Sequence, residues 1–302
     1  MPPFLTHPYL LLALTALFWG GNAVAGKLAV GHISPMMLTL LRWTFACLFM
    51  FPFAIRDVKR EWPMIRVNLP ILFALGAGGF TVFNATFYTA LNYTTAINVT
   101  IEQSAMPLLV FLANFILFHT RVHWLQITGF LLTLLGVALT ATHGNLGGLL
   151  RLELNRGDAI MLFAVFVYGV YTVCLRYKPD LSWKPTIFCL SVAAFITSVP
   201  FAIWESASGN LIMPGWEGMT AALYTAIFPS LVAQSTYIAG VQMIGPNRAN
   251  LFINLVPIFG SILAVLIIGE VMHGYHVASL IAVMGGILLA EKGAKRRPAP
   301  MP

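Results

Sequence analysis

Apolar runs close to membrane-crossing length recur along the whole chain. A helix that crosses a bilayer needs about 20 mostly apolar residues. Ten segments meet that requirement: 8–29, 36–55, 68–91, 95–118, 124–142, 157–175, 184–204, 217–242, 246–268 and 274–291. Pro, Gly, Asn and clusters of charge separate them, and the shortest break, LNYTT, lies between the third and fourth. The pattern predicts an all-α integral membrane protein with ten transmembrane helices. The first run has no basic leader segment and no small-residue cleavage site after it, so it is read as a retained first span.

Composition agrees: 59% of the 302 residues are hydrophobic and 9% are charged, where soluble domains carry about 25% charged residues. The net charge of +7 resides in loops and is no sign of a nucleic-acid partner. With ten helices, one face holds both termini. That face receives Arg56, Lys59, Arg60, Arg66, Arg121, Arg176, Lys178, Lys184, Arg248, Lys292, Lys295, Arg296 and Arg297, and the other face receives only Arg151 and Arg156 in loops. Basic loops stay in the cytoplasm, so both termini are expected there. Cys47, Cys174 and Cys189 fall in apolar runs, with neither metal spacing nor a disulfide framework.

The chain also repeats itself. Trp19-Gly20-x-Asn22-x4-Lys27 reappears as Tyr168-Gly169-x-Tyr171-x4-Arg176, and PFAI occurs at 52–55 and 200–203. Phe87-Tyr88-Thr89-Ala90 matches Thr236-Tyr237-Ile238-Ala239, Pro107 matches Pro257, and Gly136 matches Gly286. The offset stays between 148 and 150 residues. Two five-helix halves follow, 1–146 and 147–302. Five is odd, so the second half enters the membrane from the opposite side. Inverted repeats of this kind are typical of transporters that alternate access around a midplane site.

The opening Trp19-Gly20-x-Asn22-x4-Lys27 motif, Pro257 followed by Gly269-Glu270, and Gly286 together resemble the drug/metabolite transporter superfamily, in its ten-helix EamA-type exporters. The resemblance covers nearly the whole chain, and Thr120 stands where the first half would match Glu270. In overall similarity the sequence is nearest the branch that exports aromatic and other neutral amino acids. The resemblance implies a multi-pass protein of the bacterial inner membrane, with Glu270 as a helix-end element.

Helical spacing groups the polar residues into stripes: Thr15, Trp19, Asn22 and Gly26 in the first span, and Thr81, Asn84 and Tyr88 in the third. Asn98 and Glu102 lie in the fourth, and Tyr168 and Tyr171 in the sixth. Ser230, Gln234 and Tyr237 mark the eighth, and Asn247, Asn250, Asn254 and Ser261 the ninth. These stripes are expected to line a nearly uncharged central cavity suited to neutral amino acids, aromatic ones included. The competing reading for each is interhelical hydrogen bonding, worth about 0.6 kcal/mol per bond. Lys27 and Arg42 are the cations near spans and are placed toward the outer face, too few for a phosphorylated sugar. Spans five and ten, with Gly129, Gly136, Gly285 and Gly286, are expected outside the cavity, either as a dimer face or as internal packing, so the protein is expected to be a monomer or a homodimer.

Glu102 is placed alone among acids deep inside a span, where a charge costs about 2.5–3.5 kcal/mol on insertion scales. It is either a proton-coupling group or a neutral acid bonded to Asn98 or to a carbonyl near Pro107. Lys27 and Arg176 are each either a gate element or a side chain reaching to headgroups. No cofactor or metal is expected. The histidines (His7, His32, His119, His123, His143, His273 and His276) sit at span ends or in loops without H-E-x-x-H, which argues against an intramembrane enzyme. No G-x-x-x-x-G-K-[ST] is present, so direct use of ATP by this chain is not expected. An amide-and-ring lining argues against a channel. The function expected is secondary or facilitative export of a small-molecule substrate from within the lipid bilayer, driven by a proton gradient or by the solute gradient alone.

Overall fold

A computed structural model describes residues 7–118, 123–145 and 155–295. Thr120, Arg121, Arg151, Arg296 and Arg297 lie outside these residues, as do the side chains of Asn247 and Asn250. The described residues form ten helical elements in chain order: α1 (Pro8–Leu28), α2 (Pro35–Val67), α3 (Leu69–Leu91), α4 (Ala96–Gln103, then Met106–Phe118), α5 (Trp124–Ala141), α6 (Arg156–Cys174), α7 (Trp183–Ala207), α8 (216–244), α9 (Pro246–Ile253, then 256–268) and α10 (Gly274–Lys295). Nine helices among them are long and apolar enough to cross a membrane by themselves. The tenth, α8, is diluted by Thr225, Ser230, Gln234, Ser235 and Thr236. Successive spans run antiparallel. The face on which α1 starts and α10 ends is called the N/C face below, and the other the opposite face.

α2 continues past the expected end at residue 55 to Val67, across Pro52 and Pro63. Beyond the apolar run, Val58 and Ile65 keep one stripe buried while Arg60 and Asp57 pair at 2.9 Å on the water side. An amphipathic stripe of this kind suffices to prolong a helix outside the bilayer.

The packing obeys the repeat. α1 packs against α8 and α9, and its counterpart α6 packs against α3 and α4. α2 packs on α7, α4 on α9, and α5 on α10, each helix meeting its own counterpart. The result is a ten-helix inverted repeat in which the first helix of each half is inserted into the other half. Glycines permit both insertions. A Cβ on Gly20 would stand 2.7 Å from the Gly260 backbone nitrogen, and one on Gly169 would stand 3.0 Å from Leu109 Cβ. α1 is continuous from Pro8 to Leu28, so its glycines serve close packing and not a bend.

Of Gly129 and Gly136 in α5 and Gly285 and Gly286 in α10, three are used for packing inside the chain. Gly129, Gly136 and Gly286 are buried between these two helices of one chain, and a Cβ on Gly136 would stand 2.8 Å from the Ser279 carbonyl oxygen. Small residues bring the backbones together where lipid supplies no hydrophobic drive. Gly136→Val is expected to destabilise the protein by about 1–3 kcal/mol, the range for overpacked cores, read as a lowered midpoint of thermal unfolding in detergent. Gly78→Ala, in open space, is expected to leave that midpoint near its original value.

Candidate functional site

A buried cation organises the centre. Arg42, in α2, is 6% exposed. Its Nε donates to Ser230 Oγ at 2.8 Å, and its Nη1 donates to Asn22 Oδ1 at 3.0 Å, Asn84 Oδ1 at 2.8 Å and Tyr88 OH at 2.5 Å. The Tyr88 hydroxyl in turn donates a hydrogen bond to Asn22 Oδ1 at 2.9 Å. Acceptors from α1, α3 and α8 thus converge on one guanidinium, and Trp43 and Tyr88 rings lie 5.0 and 5.9 Å from its carbon. Among the described residues no carboxylate pairs with Arg42, and its Nη2 has no hydrogen-bond partner. A guanidinium has five donors, so part of this one remains uncommitted.

Aromatic side chains lie on the N/C-face side of Arg42. The Trp19 ring meets Tyr237 at 5.4 Å, and its Nε1 donates to the Pro229 carbonyl at 3.2 Å. Tyr168 meets Tyr171 at 5.2 Å and Phe83 at 4.8 Å, and Phe80 stacks on Trp43 at 4.6 Å. Trp19, Tyr168, Tyr171, Gln234 and Tyr237 are all half-buried. α6 and the last part of α8 barely touch. Their repeat counterparts, α1 and the last part of α3, do pack together, with Gly26 against Tyr88 and Leu91. Between these helices the bundle is therefore packed shut on the opposite face and looser, parted between α6 and α8, on the N/C face.

Polar contacts hold the closed side. Lys27 Nζ donates to the carbonyls of Leu91 at 2.8 Å and Thr94 at 2.7 Å. The Glu270 carboxylate accepts from the backbone N–H groups of Ala96 at 2.7 Å and Ile97 at 3.0 Å, so it caps α4 from the end of α9. Glu205 likewise accepts from Ser34 Oγ at 2.6 Å and from the N–H groups of Met36 and Met37 at the start of α2. Anions at helix N-termini are favoured by the unpaired donors and the helix dipole. Glu270 is thus the helix-end element that the resemblance implied, serving a helix other than its own. A groove of about 270 Å³ opens on this face beside Lys27, Thr94, His143 and Asn155.

The expected site residues separate into three groups. Asn22, Asn84, Tyr88 and Ser230 meet around Arg42, which the sequence placed toward the outer face; the nearly uncharged surroundings expected there contain a buried cation. Trp19 pairs with Tyr237 and Tyr168 with Tyr171 in the aromatic wall, Gln234 is half-buried in α8, and Asn254 is buried at the break in α9. Thr81 does not face the site. Its hydroxyl is 2.6 Å from Thr197 Oγ1 and 3.0 Å from the Ala194 carbonyl of α7, because the wide turn over Gly76–Val82 rotates it out of the stripe of Asn84 and Tyr88. Thr15 likewise bonds Thr236 across to α8 at 2.8 Å.

Asn98 and Glu102 belong to a second cluster on the opposite-face side. Asn98 Nδ2 donates to Asp158 at 3.2 Å and not to Glu102, whose two oxygens are buried without a partner among the described residues. Asp158, 0% exposed in the first turn of α6, is a buried acid that hydropathy alone assigns to a span end. The side chain of Asn250 lies outside the described residues, and Arg176 is exposed on the N/C face.

Comparison with known proteins agrees with this architecture. The model of the EamA-like transporter family matches twice, over residues 7–142 and 155–291. The uncharacterized transporter YyaM of Bacillus subtilis is 25% identical over 94% of this chain and 93% of its own length. The uncharacterized inner membrane transporter YicL of Salmonella typhimurium is 22% identical over 94% and 95%. A solved structure described only as a crystal structure of a protein superposes with a TM-score of 0.64 at 18% identity, covering 96% of this chain and 98% of that one. With two family matches spanning nearly all ten helices, the chain belongs to the EamA-like transporter family and is a membrane transporter of small molecules, not an enzyme.

Proposed function

We propose that this transporter exports small carboxylate-bearing metabolites, chiefly neutral and aromatic amino acids, across the cell inner membrane. The uncommitted donors of buried Arg42 carry the reading. A cation in the membrane interior that lacks an acidic partner is a functional position by default, and a planar guanidinium binds a carboxylate through parallel N–H groups. The substrate carboxylate would sit on Arg42 Nη2, with its apolar body against Trp19, Tyr168, Tyr171 and Tyr237. The excess of basic residues on the N/C face supports a cytoplasmic position for that face, so the parted side is where cytoplasmic solute enters. Halves 1–146 and 147–302 would rock about Arg42 to alternate access, and a proton gradient is the proposed energy source.

A second reading comes from the same cluster. None of the side chains around Arg42 or in the aromatic wall is acidic, so an ammonium group has no counter-charge there. That favours carboxylates without an amine, such as the 2-oxo acids that correspond to these amino acids.

Counterflow into proteoliposomes with phenylalanine, leucine, their 2-oxo acids and phenethylamine separates the readings. Both expect the amine-only compound to be excluded, and its transport at the rate of the acids would refute carboxylate recognition. Arg42→Gln is expected to weaken half-saturation by roughly 10- to 150-fold, since hydrogen bonds to a charged group are worth about 1.5–3 kcal/mol. Tyr168→Ala is expected to weaken transport of phenylalanine about 2- to 12-fold more than that of leucine, because an aromatic pair adds about 0.5–1.5 kcal/mol beyond its area.

A further inference from the structure

Two carboxyl groups lie near each other inside the closed side, in opposite surroundings. Asp158 accepts from Thr94 Oγ1, from Asn98 Nδ2 at 3.2 Å, and from His143 Nε2 at 3.2 Å. Glu102, one helical turn deeper than Asn98 on α4, is 0% exposed, and neither oxygen has a partner among the described residues. Three donors are what an ionised carboxylate takes. A carboxylate with none would carry an uncompensated desolvation cost, so Glu102 holds its proton while Asp158 does not.

The surrounding network fixes the direction of the donors. The His276 Nδ1 accepts from the His273 backbone N–H at 3.0 Å, so its Nε2 bears the hydrogen and donates to Asn98 Oδ1 at 3.0 Å. That leaves the amide nitrogen of Asn98 turned to Asp158. His143 is the member of the cluster that reaches water. Its side chain is 49% exposed, it borders the opposite-face groove, and its backbone adopts φ 50°, a left-handed conformation uncommon for a residue other than glycine. Tyr275 from α10 also faces Asp158, while Lys27 and Glu270 are bound to backbone groups at either end of the α3–α4 turn.

We propose that Asp158 and Glu102 form a buried two-carboxyl proton site, loaded from the opposite face through His143, whose loading releases the Lys27 clamp. The His143 imidazolium gives its Nε2 proton to Asp158 Oδ2, and the neutral imidazole regains a proton from water in the groove. A neutral Asp158 loses its charge-assisted bonds to Thr94, Asn98 and His143. Thr94 is the residue whose carbonyl Lys27 grips at 2.7 Å, so loosening Thr94 frees the contact that keeps α1 on α3. An external proton thereby opens the external side. The link to export rests on the function proposed above, and the proton site does not.

Infrared difference spectra of the purified full chain in lipid, stepped between about pH 8 and pH 5, the range in which histidine titrates, test the site directly. The wild type is expected to gain one neutral carboxylic acid band. Asp158→Asn is expected to lack that gain, and Glu102→Gln to lack the band present before acidification. A wild type without the gain, or a gain that survives Asp158→Asn, overturns the proposal. His143→Gln still donates to Asp158 but does not titrate and so relays no proton, and is expected to slow the gain without changing its extent; an unchanged rate overturns the entry route.

In vesicles, one proton per solute and a one-unit pH difference drive about tenfold accumulation of phenylalanine. Asp158→Asn is expected to reduce this to about one while exchange at equal pH continues. Accumulation that persists in that variant overturns the coupling. Wild-type vesicles that exchange no phenylalanine while the infrared gain is intact refute the substrate reading alone.

Discussion

A guanidinium held inside a membrane without a carboxylate beside it is the constraint around which the bundle is arranged. Placing such a charge at the centre of a span costs about 2.5–3.5 kcal/mol even on insertion scales. The chain offsets this with neutral acceptors: the amide oxygens of Asn22 and Asn84 and the hydroxyls of Tyr88 and Ser230. These four come from three helices and from both halves, so the cation ties the halves together at one point. Neutral acceptors solvate the charge without cancelling it. An aspartate at any of those positions would have closed the ion pair internally and left nothing for an incoming anion.

The inverted repeat supplies the scaffold but not the charge. In the register set by the two PFAI stretches, Arg42 falls opposite Leu190, which is buried. Asn22 falls opposite Tyr171 and Lys27 opposite Arg176. The first half therefore contributes most of the polar anchor, and the second contributes most of the aromatic wall. A solute with a charged end and an apolar body matches this division. Duplication gave each half the same backbone path, and divergence at a few lining positions made the two halves chemically complementary.

Periodicity and hydropathy were enough to find the helices, the repeat and four of the five groups at the cation. Arg42 itself was misplaced. A charge near the start of an apolar run reads as belonging to the interface, and the acceptors that draw it inward come from residues far away in sequence. Asp158 was missed for the same reason, since Thr94, Asn98 and His143 cover it from three other segments. Thr81 failed differently. It shares helical spacing with Asn84 and Tyr88, but that spacing presumes an unbroken α-helix. The wide turn over Gly76–Val82 shifts the register by part of a turn, and no residue type announces where such a turn falls. Glu102 was recognised as anomalous, but its neighbour across the helix interface was not.

Departures from regular helix concentrate around the site. Wide turns occur at Gly76–Val82 in α3, Phe228–Val232 in α8 and Ala264–Ile268 in α9, and α4 and α9 break just before Pro107 and Pro257. Wide turns of this type are frequent at functional positions, and irregular backbone survives at membrane depth only where protein or a water-filled cavity satisfies it. These four helices can thus bend where α1, α5, α6 and α10 cannot. The two ends of the bundle are nevertheless unequal. On the opposite face Gly26 lets α1 approach Tyr88 and Leu91 closely. The matched position on α6 is Leu175, a half-buried side chain at the N/C-face end of the helix. Closure at the N/C face must accommodate that side chain, whereas closure at the opposite face meets only a hydrogen. Steric cost alone therefore favours the arrangement seen here, in which the opposite face is the more tightly packed of the two.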